Sequence, residues 1–471
     1  MVRVLVIMLF CVSVAHTAKC AQLLQPGDII NLGAFRLPQG TQGCGNEYQC
    51  TFSHGGKVIA LGNDRQSLYV SSHDWSDTYA ARVSIPNPVN TAIVENMNTA
   101  ILIEAFADIT EGHDENVVEI STNVTPGDTV IGGMIAYDGK LYGTLHIAFD
   151  NYSGADATVR TGFRHSLTLS ETGTFVGNFK QFLSGYLGKI PTSLQMVLGG
   201  DLYNGLGPLS IITRASMGPS MRSWVADDMV DTSEIITTHS LISYPDGHRT
   251  LGEYANTGPA NPYISPADRI WGTAIIDGTD TVIFVGMHGT GDWCYKSTCT
   301  GELYPVEPSG NEAKPNIAQV WAYDINDLIA VYSGHVVTAE DVSAGRFISG
   351  SYPNNTVLSA GSTVMPYNVK PYAVWELEVS AGWVNDKFGS IAYDSDGGLL
   401  YISQPGVDNN ANPLINVFTI NIAAPTCSDQ VQNGDETGVD CGGSCPACST
   451  PGTLQNKAFT FGTAPMNFIE E

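Results

Sequence analysis

Positive charge is scarce in this chain. It has 21 Lys and Arg against 47 Asp and Glu, a formal net charge of −26. A phosphate backbone would be repelled, which argues against a nucleic-acid partner. Charged residues of either sign are only 14% of the total. The acidic excess reads first as a solvated surface and second as a source of oxygen ligands for divalent cations. Long apolar runs are lacking as well. After the first twenty residues none approaches the roughly 18 that a membrane helix needs. Sustained 3.6-residue periodicity is rare, so a helical bundle is a poor fit. Three catalytic signatures are missing: no G-x-S-x-G elbow, no GKT or GKS phosphate loop and no HExxH helix. Serine chemistry on an α/β-hydrolase elbow, P-loop phosphoryl transfer and zincin-type proteolysis therefore have no local support.

What remains is rich in Gly (50) and Pro (24). Short apolar runs are broken by Gly, Asp and Asn throughout, the composition of an all-β protein. At the N-terminus, MVR precedes the apolar run VLVIMLFCVSV (4–14) and the small residues of AHTAKCAQ. This matches a secretory signal peptide within residues 1–20, cut after Ala18 or Cys20. A secreted, extracellular protein is the expectation, and its cysteines agree. Cys44, Cys50, Cys294, Cys299, Cys427, Cys441, Cys445 and Cys448 form two close pairs and a cluster of four. An even number in an exported chain reads as disulfides. Proximity pairs Cys44 with Cys50 and Cys294 with Cys299, while the last four allow three connectivities. Asn123, Asn151 and Asn354 head glycosylation sequons.

Repetition supplies the architecture. LYVSSHDWSD (68–77), LYGTLHIAFD (141–150) and IFVGMHGTGD (283–292) each run from a strand into a His-x3-Asp exit. Aligned at the aromatic residue, five strands share an aromatic–small–variable pattern at alternate positions: Tyr69/Ser71/His73, Tyr142/Thr144/His146, Tyr203/Gly205/Gly207, Phe284/Gly286/His288 and Tyr401/Ser403/Pro405. Alternate positions lie on one face of a strand. GGKVIALGNDRQSLY (55–69), GGMIAYDGKLY (132–142), WGTAIIDGTDTVIF (271–284) and FGSIAYDSDGGLLY (388–401) add a preceding strand and an Asp/Gly turn, which makes each an antiparallel hairpin. Third strands follow at 80–86, 319–325 and 415–420. Repeated units of this kind indicate a β-propeller, with a two-sheet sandwich array as the alternative. A blade of roughly 55–65 residues gives seven blades, with six as the alternative, once an unseen blade is placed at 320–379. The strand at 27–35 is expected to close the ring with the last blade.

The Gly, apolar strand, Asp/Gly turn, aromatic strand grammar resembles NHL-repeat and gluconolactonase-like propellers over residues 25–424. VIFVGMHGTGDWCYKSTC and QVWAYDINDL resemble secreted propeller proteins. The segment 425–448 resembles the small cysteine-rich modules appended to secreted and cell-surface proteins, and 449–471 reads as a tail.

The recurring histidines and aspartates are candidate ligand or metal residues: His73, His146 and His288 with Asp77, Asp150 and Asp292. Placed on one rim, they could form a Zn²⁺ or Ca²⁺ site or an acid–base centre. Zn–N bonds of about 2 Å demand convergence that strands in separate blades do not supply. The simpler reading is structural, each imidazole bonding the Asp of its own loop. His54, Asp268 and Asp386 stand at entries to first strands, where side chains reach the central funnel and could hold Ca²⁺. The resemblance implies a metal in that place, although the ligand set does not match residue by residue. In the cysteine-rich module, Asp429, Asn433, Asp435, Glu436 and Asp440 are spaced as calcium-loop oxygens are, without an EF-hand order. The favoured function is an extracellular binding, adhesion or surface-assembly protein without catalytic activity. Its partners would be proteins or glycans, with self-assembly through the C-terminal module. The alternatives are a cation-dependent, lactonase-like hydrolase or lyase with its site in the funnel, and a structural subunit of a filament or coat.

Overall fold

The computed structural model describes residues 22–42, 49–73, 78–113, 129–147, 160–179, 183, 185–206, 216–230, 235–245, 247–252, 261–305, 308, 311–384, 386–422, 441–442 and 445–448. Residues Leu23–Asn421 form one compact unit. Its first strand is β1 (Ile29–Arg36). Blade I follows with β2 (Ile59–Leu61), β3 (Ser67–Ser71), β4 (Tyr79–Ser84) and β5 (Leu102–Asp108). Blade II has β6 (Thr129–Tyr137), β7 (Lys140–Ile147), β8 (Arg160–Ser166) and β9 (Phe175–Phe179). Blade III has β10 (Leu187–Lys189), β11 (Leu202–Asn204), β12 (Met221–Trp224) and β13 (His239–Ile242). Blade IV is longer. It opens with β14 (Arg269–Ile276) and β15 (Thr281–Gly289), and then carries a small hairpin, β16 (Cys294–Tyr295) and β17 (Asn311–Glu312). Its third strand, β18 (Asn316–Asp324), leads to a second hairpin, β19 (Ile348–Ser349) and β20 (Thr356–Val357), and then to the outer strand β21 (Ala373–Glu376). Blade V has β22 (Ile391–Asp394), β23 (Leu399–Gln404) and β24 (Leu414–Ile420), and β1 is its outermost strand.

All five four-stranded sheets are antiparallel. Their first strands neighbour one another in a closed cycle, β2 to β6, β10, β14, β22 and back to β2. The protein is thus a five-bladed β-propeller, not the seven or six blades expected. The sandwich array is excluded with them. The count failed at 320–379. That stretch is not a blade: it holds the outer half of blade IV, interrupted by the helices α1 (Ile325–Ser333) and α2 (Ala339–Ala344). Asp324 and Thr338 cap these helices, and each ends on a left-handed glycine, Gly334 and Gly345. The hairpins, the third strands and closure by the first strand stand as expected.

The aromatic–small pattern is how neighbouring blades meet. Tyr69 in blade I donates to the Leu167 carbonyl of blade II at 2.6 Å, and Tyr203 in blade III to the Thr273 carbonyl of blade IV at 3.2 Å. Tyr142 meets Trp224 edge-on at 6.1 Å. The small residues let the next blade approach. The Thr144 hydroxyl donates to the Gly185 carbonyl, and the Ser403 hydroxyl to the Gly56 carbonyl. Gly205 makes room within its own blade, where a Cβ would lie 2.2 Å from the Tyr186 ring. The fourth copy is a correction. Phe284 packs back against Tyr186 of blade III, while Ile283 and Val285 face blade V. A one-residue slip moves a side chain to the opposite face. β15 hides that slip because all nine of its residues are buried, giving an unbroken apolar run.

Closure is reinforced where β1 ends. The Arg36 guanidinium makes two bonds to Asp408 in the β23–β24 loop, at 2.8 and 2.9 Å, and the Asp408 side chain is fully buried. Gln39 adds a third bond at 3.0 Å. Of the expected disulfides, Cys294–Cys299 is present, and Cys50 is disulfide-bonded while Cys44 lies outside the described residues. Near the C-terminus Cys441 pairs with Cys448 and Cys445 is disulfide-bonded; Cys427 and the acidic residues Asp429, Asn433, Asp435, Glu436 and Asp440 lie outside the described residues. Asn354 is exposed between β19 and β20, whereas Asn123 and Asn151 are outside the described residues. Arg36→Ala strands a buried carboxylate, so it should lower unfolding free energy by about 3 kcal/mol. Denaturant unfolding checks this, and an unchanged midpoint would show that the contact is dispensable.

Candidate functional site

In each blade the entry to the first strand and the exit of the second lie at one end of the disc. At that loop face three of the sequence candidates come together in the corner between blades IV and V. Asp268 closes a turn just before β14, its carboxylate accepting from the Ser265 amide at 2.9 Å. The pairing of β14 with β15 sets His288 beside it. The His288 Nδ1 lies 2.7 Å from Asp268 Oδ2, and the Gly289 amide donates to Asp268 Oδ1 at 2.8 Å. Both side chains are buried. Burial works against the imidazolium, but the Asp268 carboxylate and the Asn261 carbonyl outweigh it and raise the His288 pKa. So the partner of His288 is Asp268, not Asp292, which is exposed. With Nδ1 committed to a buried carboxylate, the ring is held as a structural imidazole is.

Asp386 approaches from the entry of blade V, in a left-handed backbone conformation (φ 64°). The Lys314 ammonium lies 2.6 Å from its carboxylate and 3.8 Å from Glu312. Asn316 donates to the same carboxylate at 2.8 Å. Burial pushes the Glu312 carboxyl above its usual range, and Asp386 adds to this, while Arg269 and Lys314 pull it back. Burial opposes the Lys314 charge, but Asp386, Glu312 and Tyr304 more than compensate and raise its pKa. Lys314 also lies 5.4 Å from the Tyr304 ring centre. The result is a mixed-charge basin: two carboxylates in unlike environments, one fixed ammonium, a guanidinium and an amide.

The other candidates do not join it. His54, exposed and with φ 52°, has its ring 5.4 Å from that of His73, and Gly55 and His73 form an isolated bridge. For His146 the backbone pairing with Val130 is described; Asp77 and Asp150 lie outside the described residues. Among the described residues no group of three or more His, Cys, Asp and Glu is placed to hold a metal ion. The expected convergence of His54, Asp268 and Asp386 on one cation does not form, because Asp268 serves His288 and Asp386 serves Lys314. Glu312, Lys314, Arg269 and Asn316 were not singled out in the sequence. The Glu-x-Lys spacing in a charge-poor chain was the available signal.

At the opposite end of the channel is a cavity of about 180 Å³, lined by the first strands of all five blades. Its lining mixes apolar residues, among them Ile59, Met134, Leu187, Ile275 and Ile391, with polar ones such as Thr273 and Asp277. Its collar is polar and crosses between blades. Lys189 donates to Ser395 at 2.7 Å, and Arg65 binds Asp394 through two bonds, at 2.8 and 2.9 Å. Burial raises the Asp277 carboxyl, with Lys189 and Ser395 offsetting part of the effect and Asp396 adding to it.

No family model matches the chain, and no curated protein matches it. Among solved structures it is similar to an arabinanase of Bacillus subtilis, at 9% identity over 82% of this chain and 96% of that one, TM-score 0.35. It is similar also to a GH43 endo-arabinanase of Bacillus licheniformis, at 9% identity over 76% and 91%, TM-score 0.36. A Trypanosoma rangeli sialidase shows 12% identity over 77% and 44%, TM-score 0.32. Likenesses this distant carry no argument about activity.

His288 gives a pH prediction. Its folded pKa is raised above the unfolded value, so its stabilisation is complete below the unfolded pKa and is lost as pH rises through the folded one. Thermal midpoints should fall as pH increases from the unfolded imidazole value of about 6.5. His288→Gln should flatten that slope. An unchanged slope in the variant would assign the effect elsewhere.

Proposed function

We propose that this chain is an extracellular binding propeller whose ligand sits in the basin formed by Arg269, Glu312, Lys314, Asn316 and Asp386. The observation that carries the reading is Lys314. Its ammonium is fixed between two carboxylates from different blades, so the corner presents donors and acceptors of both signs on a rigid frame. Such a frame recognises a polar ligand without needing to reorganise. Two further buried ionisable groups of this face, His288 and Asp268, are paired with each other. The Cys294–Cys299 disulfide at its edge fits an oxidising compartment.

A second reading, a hydrolase acting on lactones or glycosides, is favoured by one observation. The Glu312 carboxyl is pushed upward while Asp386 stands by an ammonium, and two carboxyl groups in unlike environments can divide the roles of acid and base. Binding and turnover separate the two readings. The purified protein should bind members of a panel of soluble oligosaccharides and aldonolactones without consuming them. Lys314→Met should weaken that binding at least tenfold, the loss of about 1.4 kcal/mol or more. Turnover that Glu312→Gln abolishes, and that in the parent chain declines as pH rises, would establish the hydrolase instead.

A further inference from the structure

The hairpin that delivers Glu312 to the basin has an outer face with a different chemistry. On β16, Cys294 is buried while Trp293 before it and Tyr295 after it are each 37% exposed. Tyr295 lies opposite Asn311 in the β16–β17 pairing, so those two side chains share a face, and the Trp293 indole reaches the same Asn311 side chain. Neither ring is loose. The indole N–H of Trp293 donates to the Asn311 amide oxygen at 2.9 Å, across the hairpin on β17. Lys296 lies 5.2 Å from the Tyr295 ring centre and covers part of it. The Cys294–Cys299 disulfide closes the loop directly beneath. Asp292, next to Trp293 in the chain, is exposed.

We propose that Trp293 and Tyr295 form a stacking platform for a neutral polysaccharide. This rests on the reading of the loop face as a binding face and names its ligand class. A sugar ring offers a C–H face that packs on an aromatic ring, and hydroxyls at its rim that need polar partners; the platform supplies both. Two rings are too small for a stable protein interface, which needs about 1,000 Å² or more. The net charge of −26 disfavours an acidic polymer. The rings are also held in place before binding, so little side-chain entropy is lost when the ligand lands.

Affinity electrophoresis of the full chain through gels containing hydroxyethyl-cellulose, xylan, mannan or laminarin tests the proposal. At least one polymer should retard the protein. Trp293→Ala and Tyr295→Ala should each raise the apparent dissociation constant at least tenfold with unchanged circular dichroism, and Trp293→Phe should recover part of the affinity. No retardation by any polymer, or retardation unaffected by both alanine variants, overturns it. Loss of self-association in Trp293→Ala in place of lost retardation would also overturn it and make the patch a contact between copies. Lys314→Met separates this proposal from the basin reading. Retardation kept in that variant, together with loss of small-ligand binding, leaves both standing. Retardation kept with small-ligand binding also unchanged removes the basin reading alone.

Discussion

The pairing of β1 with β24 decides whether there is a ring at all. It brings together residues 372 positions apart in the chain, as in the Arg36–Asp408 contact. Closing a loop of that length carries an entropy cost that grows only slowly with length, but the cost precedes every inter-blade contact that depends on closure. The seven-residue register of β1 on β24 and the buried guanidinium–carboxylate pair are what offset it. Without them blade V would keep three strands, and its outer edge would be an unpaired row of amides and carbonyls.

Closure also explains the corner between blades IV and V. Glu312 and Lys314 come from the insertion in blade IV, and Asp386 from the entry of blade V. Ring closure adds to the apolar cluster that blades IV and V share in holding them at a fixed separation, and a 2.6 Å ammonium–carboxylate contact tolerates little drift. The left-handed Asp386 costs backbone energy that the surrounding contacts must offset. Asn316 contributes from two directions, donating to the Asp386 carboxylate and accepting from its amide. The residue is held by its side chain and its main chain together.

Much of the fold was legible because hairpins are local. FGSIAYDSDGGLLY states two strands, their turn and their facing in fourteen residues, and β22 and β23 pair accordingly. Blade number was not legible, because it is a count of long-range sheets and one blade carries two helices between its third and fourth strands. Phe284 shows a subtler limit. Aromatic spacing fixes which residues share a face, but in a strand buried on both faces nothing in the residue types says which face is which. The candidate site was half legible. His288, Asp268 and Asp386 could be named because each flanks a strand end. Their true partners could not. Asp268 meets His288 across a register, and Lys314 reaches Asp386 from a loop whose path no periodicity describes.

The basin finally shows why carboxylates at strand entries do not by themselves imply a metal. A divalent cation held by oxygens needs several ligands facing one point. Here each candidate carboxylate already has a protein cation or donor of its own: His288 for Asp268, Lys314 for Asp386. An ammonium placed this way does part of what a bound cation does. It fixes the carboxylate's position and sets the sign of the local potential, but it leaves no open coordination site for a water or a substrate oxygen. Recognition can therefore be built into this corner from covalently tethered charges alone.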